Sequence, residues 1–151
     1  GLVPYGEIVE MQDSSPTLTF NAIGRHQSMM VTTRISSNKS PWLYGAQVGD
    51  IHAIPISHGE GRFVASPAML EKMAANGQIA TQYVDLSGNP TYDIRFNPNG
   101  SVMAIEGITS PDGRVFGKMG HSERVLGRNL AKNIDGVKDQ QLFQSGVDYF
   151  R

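Results

Sequence analysis

Seventeen glycines and eight prolines are spread along 151 residues, so turns interrupt the chain before any element can run far. Between those interruptions lie short apolar runs. Residues 17–23 and 28–36, rich in Thr, Val, Ile and Phe, predict strands on either side of Gly24-Arg25-His26-Gln27. A buried strand is expected over 51–57, a tight connection over His58-Gly59-Glu60-Gly61, and a further strand from Arg62 to Ala65. Ser66-Pro67 is an N-cap followed by a first-turn proline, opening a helix through Met69, Leu70, Met73 and Ala74 that stops at Asn76-Gly77. Residues 79–85 predict a strand. Residues 102–108 and 114–119 predict a hairpin around Ser110-Pro111-Asp112-Gly113, and Lys138 to Phe150 a terminal helix after an irregular stretch at 124–137. Strands outnumber helices, as expected for an α/β domain whose first half is missing. Trp42 and the methionines, including Met29-Met30, are expected in the core.

The chain is long enough for one domain with a real core, and 39% of its residues are hydrophobic. A formal net charge of -1, with both signs scattered, gives no electrostatic case for nucleic acid or an anionic membrane surface. No apolar run approaches the roughly 20 residues of a membrane span. The absence of cysteine excludes disulfides and thiolate metal sites within this sequence and fits a cytoplasmic protein. The opening Gly1-Leu-Val-Pro-Tyr-Gly lacks an initiator Met and reads as a helix end entering a turn, with Gly1 as a C-cap, so a fragment is expected.

Two segments carry candidate chemistry. The first, Gly117-Lys118-Met119-Gly120-His121-Ser122-Glu123-Arg124, sets His121 and Glu123 two residues apart at the end of an apolar run. On an extended backbone they share a face, where a carboxylate can orient an imidazole and stabilise its protonated form. The same spacing also describes a surface His and Glu in a loop. The second, Ser57-His58-Gly59-Glu60-Gly61-Arg62, has two glycines that permit a tight turn and leave amides open to an anion, an amide or a carboxylate. It is equally a glycine-rich hairpin, and it lacks the length and terminal Lys-Ser/Thr of a phosphate loop. His52, His58 and His121 match no usual zinc spacing, so no metal site is expected. Arg25-His26 reads as a polar turn, or as support for the site.

Taken together, Ile56 to Arg62, Asn97-Pro98-Asn99-Gly100-Ser101, Ile105-Glu106-Gly107-Ile108, Ser110 to Arg114 and Met119 to Arg124 resemble, in order and across nearly the whole chain, the glutaminase domain of the phosphoribosylformylglycinamidine synthase family. That family more often has Pro-His-Pro-Glu-Arg at its histidine. Here Gly120 and Ser122 stand in place of both prolines, which looks like the long single-chain form found in some anaerobic bacteria.

The resemblance implies a class I glutamine amidotransferase fold, flavodoxin-like. Residues 1–151 would be its strand-rich C-terminal portion, an open and partly antiparallel sheet lacking the first strands and the nucleophile helix. It implies a Cys-His-Glu triad with the cysteine a few turns before Gly1, His121 as general base and acid, and Glu123 as its orienter. Ser57, His58, Gly59, Glu60 and Gly61 would contact glutamine or line the wall between two sites. Ammonia would pass to a synthetase domain of the same parent chain, an ATP-dependent C–N ligase holding ATP and Mg. No cofactor is expected in the fragment, which would be inactive alone and would expose sheet edges through which it dimerises. Two other readings are a degenerate glutaminase-like interaction module and a class I amidotransferase of another pathway. The residue at the centre of a Gly-x-Cys-x-Gly stretch before Gly1 separates the first, and the size of the parent gene the second.

Overall fold

The computed structural model describes residues 15–125 and 138–151. The expected turn at Gly1 to Gly6, and the irregular stretch from 126 to 137, lie outside the described residues. The order of elements is β1 (Thr17–Thr19), β2 (Gln27–Ile35), a 3-10 turn at Pro41–Leu43, β3 (Ile51–His58), β4 (Arg62–Val64), α1 (Pro67–Ala75), β5 (Ile79–Tyr83), β6 (Ile105–Thr109), β7 (Phe116–Lys118) and α2 (Leu142–Phe150).

Five strands form the main sheet in the order β3-β2-β5-β6-β7, and β1 pairs with β4 in a small second sheet. Every ladder among the described residues is antiparallel. The long β2–β3 ladder runs in register from Gln27 opposite His58 to Arg34 opposite Ile51. Only the far end of β2 continues into β5, through Thr33–Tyr83 and Ile35–Thr81. The sheet is not the open one expected from the sequence. Beyond β7, Gly120 forms an antiparallel bridge with Ile56 on β3, so the two margins of the sheet meet. The edge of β3 that was expected to lie exposed is covered at this point.

Local chemistry accounts for the boundaries. The Ser66 hydroxyl caps α1 by accepting from the Met69 N–H, Pro67 sits at the first helical position, and Gly77 follows the helix with φ 67°. On its inner face α1 buries Leu70 and Met73 against Phe63, Ile79, Ile105 and Ile108. Inside the curl of the sheet lie Val31, Ile54, Ile56, Tyr83 and Ala104, with Met119 and Val125 packed against them. A third cluster of Ile35, Leu43, Ala46 and Ala80 is covered by Phe116 and Leu142.

Several expected boundaries move. The run at 17–23 yields only Thr17–Thr19, and it pairs with β4 instead of folding back on β2. The reason is Asn21, whose buried side chain bonds to Arg25, His58 and Gly61 and turns the chain out of the strand. Residues 102–104 form a tight turn in which Met103 and Ala104 take left-handed φ of 50° and 54°, so β6 begins at Ile105. The terminal helix begins at Leu142, because Gln140 bonds to Lys118 and Ser122 and holds 138–141 outside it. Of the methionines, Met73 is fully buried while Met29 on β2 is exposed. Trp42 is half-buried, donating from Nε1 to the Arg114 carbonyl at 2.8 Å.

Candidate active site

The closure of the sheet builds the site. After β7 the chain reaches Gly120 against β3, where the His121 N–H donates to the Pro55 carbonyl at 2.8 Å. A tight 3-10 turn at Ser122–Val125 follows. The segment carrying His121 and Glu123 is therefore a turn and not the extended backbone anticipated. The two side chains meet across it, with His121 Nδ1 2.7 Å from Glu123 Oε1. Burial pushes the Glu123 carboxyl up, but the hydrogen bond to His121, a bond from its own backbone N–H and the charges of His121 and Arg124 together outweigh it and hold the group below its ordinary range. With Nδ1 engaged by a carboxylate, Nε2 is the ring nitrogen left to take and return a proton. Both side chains retain solvent contact, 32% and 56% exposed, and both line a cleft of about 480 Å³. Trp42, Phe116, Leu142 and Phe143 form its apolar wall.

Behind His121 lies a polar network that sequence reasoning did not single out. The fully buried Glu106 accepts from the Gly120 N–H at 2.5 Å through one carboxylate oxygen, and from the Thr81 hydroxyl at 2.5 Å through the other. Lys118 Nζ lies 3.9 Å from the same Glu106 oxygen that Gly120 uses. It donates to Ser122 Oγ and to Gln140 Oε1, each at 2.7 Å. Burial pulls the Lys118 ammonium down from its ordinary value, opposed by the charges of Glu106 and Glu123. The available signal was a charge inside each of two apolar runs, Ile105-Glu106-Gly107-Ile108 and Val115 to Met119.

Ser57 to Gly61 lie at the end of β3 and in the turn beyond it. Ser57 Oγ is 3.1 Å from Nε2 of the exposed His26, so the Arg25-His26 turn touches this segment. The His58 ring packs over Gly61, where a Cβ would meet ring atoms at 2.1 Å, and its Nε2 lies 3.3 Å from Asn99 Nδ2. Among the described residues, His58 Nδ1 and Asn99 Oδ1 are buried with no hydrogen-bond partner. The Gly61 N–H, expected to be open to a ligand, instead donates to Asn21 Oδ1 at 3.0 Å. Among the described residues a Cβ at Gly59 would meet nothing within 4 Å, and Glu60 is exposed. The structure thus brings His121 and Glu123 together, while Ser57 to Gly61 sit outside the lining of their cleft. Among the described residues no group of three His, Asp or Glu side chains is placed to hold a metal. Nor is any helix there long and apolar enough to cross a membrane.

The hydrogen-bonded His121 and Glu123 follow β7 in a curled sheet of mixed α/β architecture, and similarity to known proteins shows the family to which such a domain belongs. The model of the CobB/CobQ-like glutamine amidotransferase domain matches residues 1–150, and the chain belongs to that family. Among its relatives are phosphoribosylformylglycinamidine synthase subunits PurQ. That of Synechocystis sp. is 42% identical over 107 residues, 71% of this chain and 46% of the relative. That of Chlorobaculum tepidum is 36% identical over 125 residues, 83% of this chain and 51% of the relative. The solved structure of PurLQS from Thermotoga maritima contains a chain with the same fold, at a TM-score of 0.68 and 26% identity, covering 89% of this chain and 53% of that one. This chain spans about half the length of each of these relatives.

Proposed function

We propose that this chain carries the histidine and glutamate of a glutaminase that serves a phosphoribosylformylglycinamidine synthase. The observation that carries the reading is the 2.7 Å contact between His121 Nδ1 and Glu123 at the mouth of a cleft, in a member of the amidotransferase family. The nucleophile would be a cysteine in a segment preceding Gly1. His121 Nε2 takes the proton of the cysteine thiol, and the resulting thiolate attacks the side-chain amide carbon of glutamine. His121 then protonates the departing nitrogen, releasing ammonia and leaving a glutamyl thioester. The same nitrogen of His121 next takes a proton from water as it hydrolyses the thioester to glutamate and free thiolate. Glu123 keeps the ring in the required tautomer and favours its cationic form.

Ser57, His58, Gly59, Glu60 and Gly61 would meet glutamine or line the wall toward a synthetase. Gly59 supplies the open backbone of that segment, while Gly61 is already engaged by Asn21. The parent would be a cytoplasmic ATP-dependent C–N ligase whose synthetase part binds ATP and Mg and uses the ammonia to convert formylglycinamide ribonucleotide to the amidine. The association of PurLQS components in the Thermotoga maritima structure supports a synthetase partner. The isolated chain, having no cysteine, would not hydrolyse glutamine.

The test is His121→Ala in the full-length protein, assayed with glutamine and separately with ammonia. Loss of a general base typically costs about 10²–10⁴-fold. Glutamine-dependent synthesis should fall by at least that range while ammonia-dependent synthesis persists. Equal loss with both nitrogen sources would make His121 a structural residue, and no loss with either would show that His121 is not the general base.

A further inference from the structure

The residues on either side of His121 are each held by one member of a buried ion pair. Gly120 is held through its N–H, which donates to Glu106 Oε1 at 2.5 Å. Ser122 is held through its hydroxyl, which accepts from Lys118 Nζ at 2.7 Å. His121 itself is fixed at the backbone by Pro55. A charge pair of this kind is a poor stabiliser, because desolvating both groups offsets their attraction and well-packed apolar residues of similar volume are often as stable. Stability alone therefore does not explain a buried carboxylate on β6. Its hydrogen-bonding geometry does: one oxygen reaches Thr81 on the adjacent strand β5, and the other reaches the backbone directly before His121. Gly120 makes this approach possible, since a Cβ there would lie 3.0 Å from that oxygen. A proline at this position would have no N–H to give.

We infer that Glu106 is a positioning residue for His121, its carboxylate anchoring the Gly120 amide so that the turn presents the imidazole to the cleft. Lys118 completes the anchor on the other flank. The inference rests on the reading of His121 as the general base. Placement errors near 1 Å can cost about a hundredfold in rate, so the loss of this anchor should lower turnover by about 10- to 100-fold.

The experiment compares two double variants of the full-length protein. E106L/K118M removes the pair at similar volume and leaves the Gly120 N–H without its acceptor. E106Q/K118M removes the same charges but restores an acceptor oxygen, with the amide nitrogen facing the Thr81 hydroxyl. Glutamate release from glutamine is measured with kcat and KM resolved, alongside thermal unfolding. The expected result is a kcat for E106L/K118M at least about tenfold below that of E106Q/K118M, KM for glutamine agreeing within about threefold, and both proteins folded at the assay temperature. Equal kcat values overturn the inference, as does a kcat difference that tracks the folded fraction or a failure of E106L/K118M to fold. His121→Ala in the same assay separates the two readings. If it retains glutamate release, the assignment of His121 fails whatever the double variants do. If it loses release while the two double variants match, only the role of Glu106 fails.

Discussion

The His121 N–H and the Pro55 carbonyl, 2.8 Å apart, join the last turn of the sheet to its first margin. Pro55 has no N–H of its own to offer the ladder, yet its carbonyl remains free to accept. Two residues further along the same strand is Ser57, the start of the segment proposed to meet glutamine. The bond thus ties the candidate base to the candidate substrate segment through the rigid β2–β3 ladder, although the two are far apart in sequence. It also explains why the sheet curls, because the chain after β7 has to reach β3 to make it.

That closure predicts a steric limit at Gly120. A Cβ there would lie 2.1 Å from Ile54 Cδ1, inside the packed curl of the sheet. Gly120→Ala should therefore destabilise the protein by about 1–3 kcal/mol, the usual cost of overpacking a core. Adding Ile54→Val removes the obstructing methyl, and the pair should recover part of the loss. Thermal unfolding of the two single variants and the double measures the coupling. A Gly120→Ala variant as stable as the parent would mean that the closure is looser than described.

Asn21 predicts a second effect. Its amide donates to the Arg25 and His58 carbonyls at 2.9 and 2.8 Å, and its oxygen accepts from the Gly61 N–H. Asn21→Ala leaves the buried Gly61 N–H without its partner, at about 1–3 kcal/mol for an unsatisfied group, and removes the donor to the part-buried Arg25 and His58 carbonyls. The 58–61 turn should loosen, so KM for glutamine should rise more than kcat falls. A variant with lowered stability and unchanged KM would separate this turn from substrate binding.

The buried His52 and the half-buried His58 set a pH dependence. Burial pulls both His52 and His58 below the ordinary imidazole value; Asp50 opposes the shift at His52, while His26 and His121 reinforce it at His58. Their unfolded forms, with a pKa near 6.5, take up protons before the folded forms do. The stability they contribute is complete above that value and is lost as pH falls below it toward their folded values. The thermal midpoint should therefore be higher at pH 7.5 than at pH 5.5. His52→Leu removes one titrating group, and the gap between the two midpoints should narrow. An unchanged gap would show that His52 does not contribute to the pH dependence.

Where periodicity and capping decide an element, the sequence could be read directly. Ser66-Pro67 and Gly77 bound α1, and the hairpin around Ser110 to Gly113 is in place. The spacing of His121 and Glu123 also pointed to two side chains that meet, but through a different local geometry, since a turn and not an extended segment brings them together. What could not be read was long-range. Whether β1 would pair with β2 or β4 depends on a side chain, Asn21, finding partners up to 40 residues away. The curl of the sheet rests on the Ile56–Gly120 bridge, for which no local pattern codes. Glu106 and Lys118 were visible only as charges in apolar runs, and nothing in either run says that the other completes it.

The last prediction concerns Glu123. Glu123→Gln keeps the size of the side chain and its reach to His121 Nδ1, but loses the charge that favours the imidazolium. The amide can also present its NH2 to the ring, which would select the tautomer protonated at Nε2 and leave no base at that nitrogen. Because Glu123 is more than half exposed, water can partly substitute for it, so the loss should be smaller than for His121→Ala. Glutamine-dependent kcat in the full-length protein should fall, with ammonia-dependent turnover unaffected. Unchanged glutamine-dependent kcat would show that Glu123 does not act on His121 during turnover, and the pair at 2.7 Å would then be a surface contact.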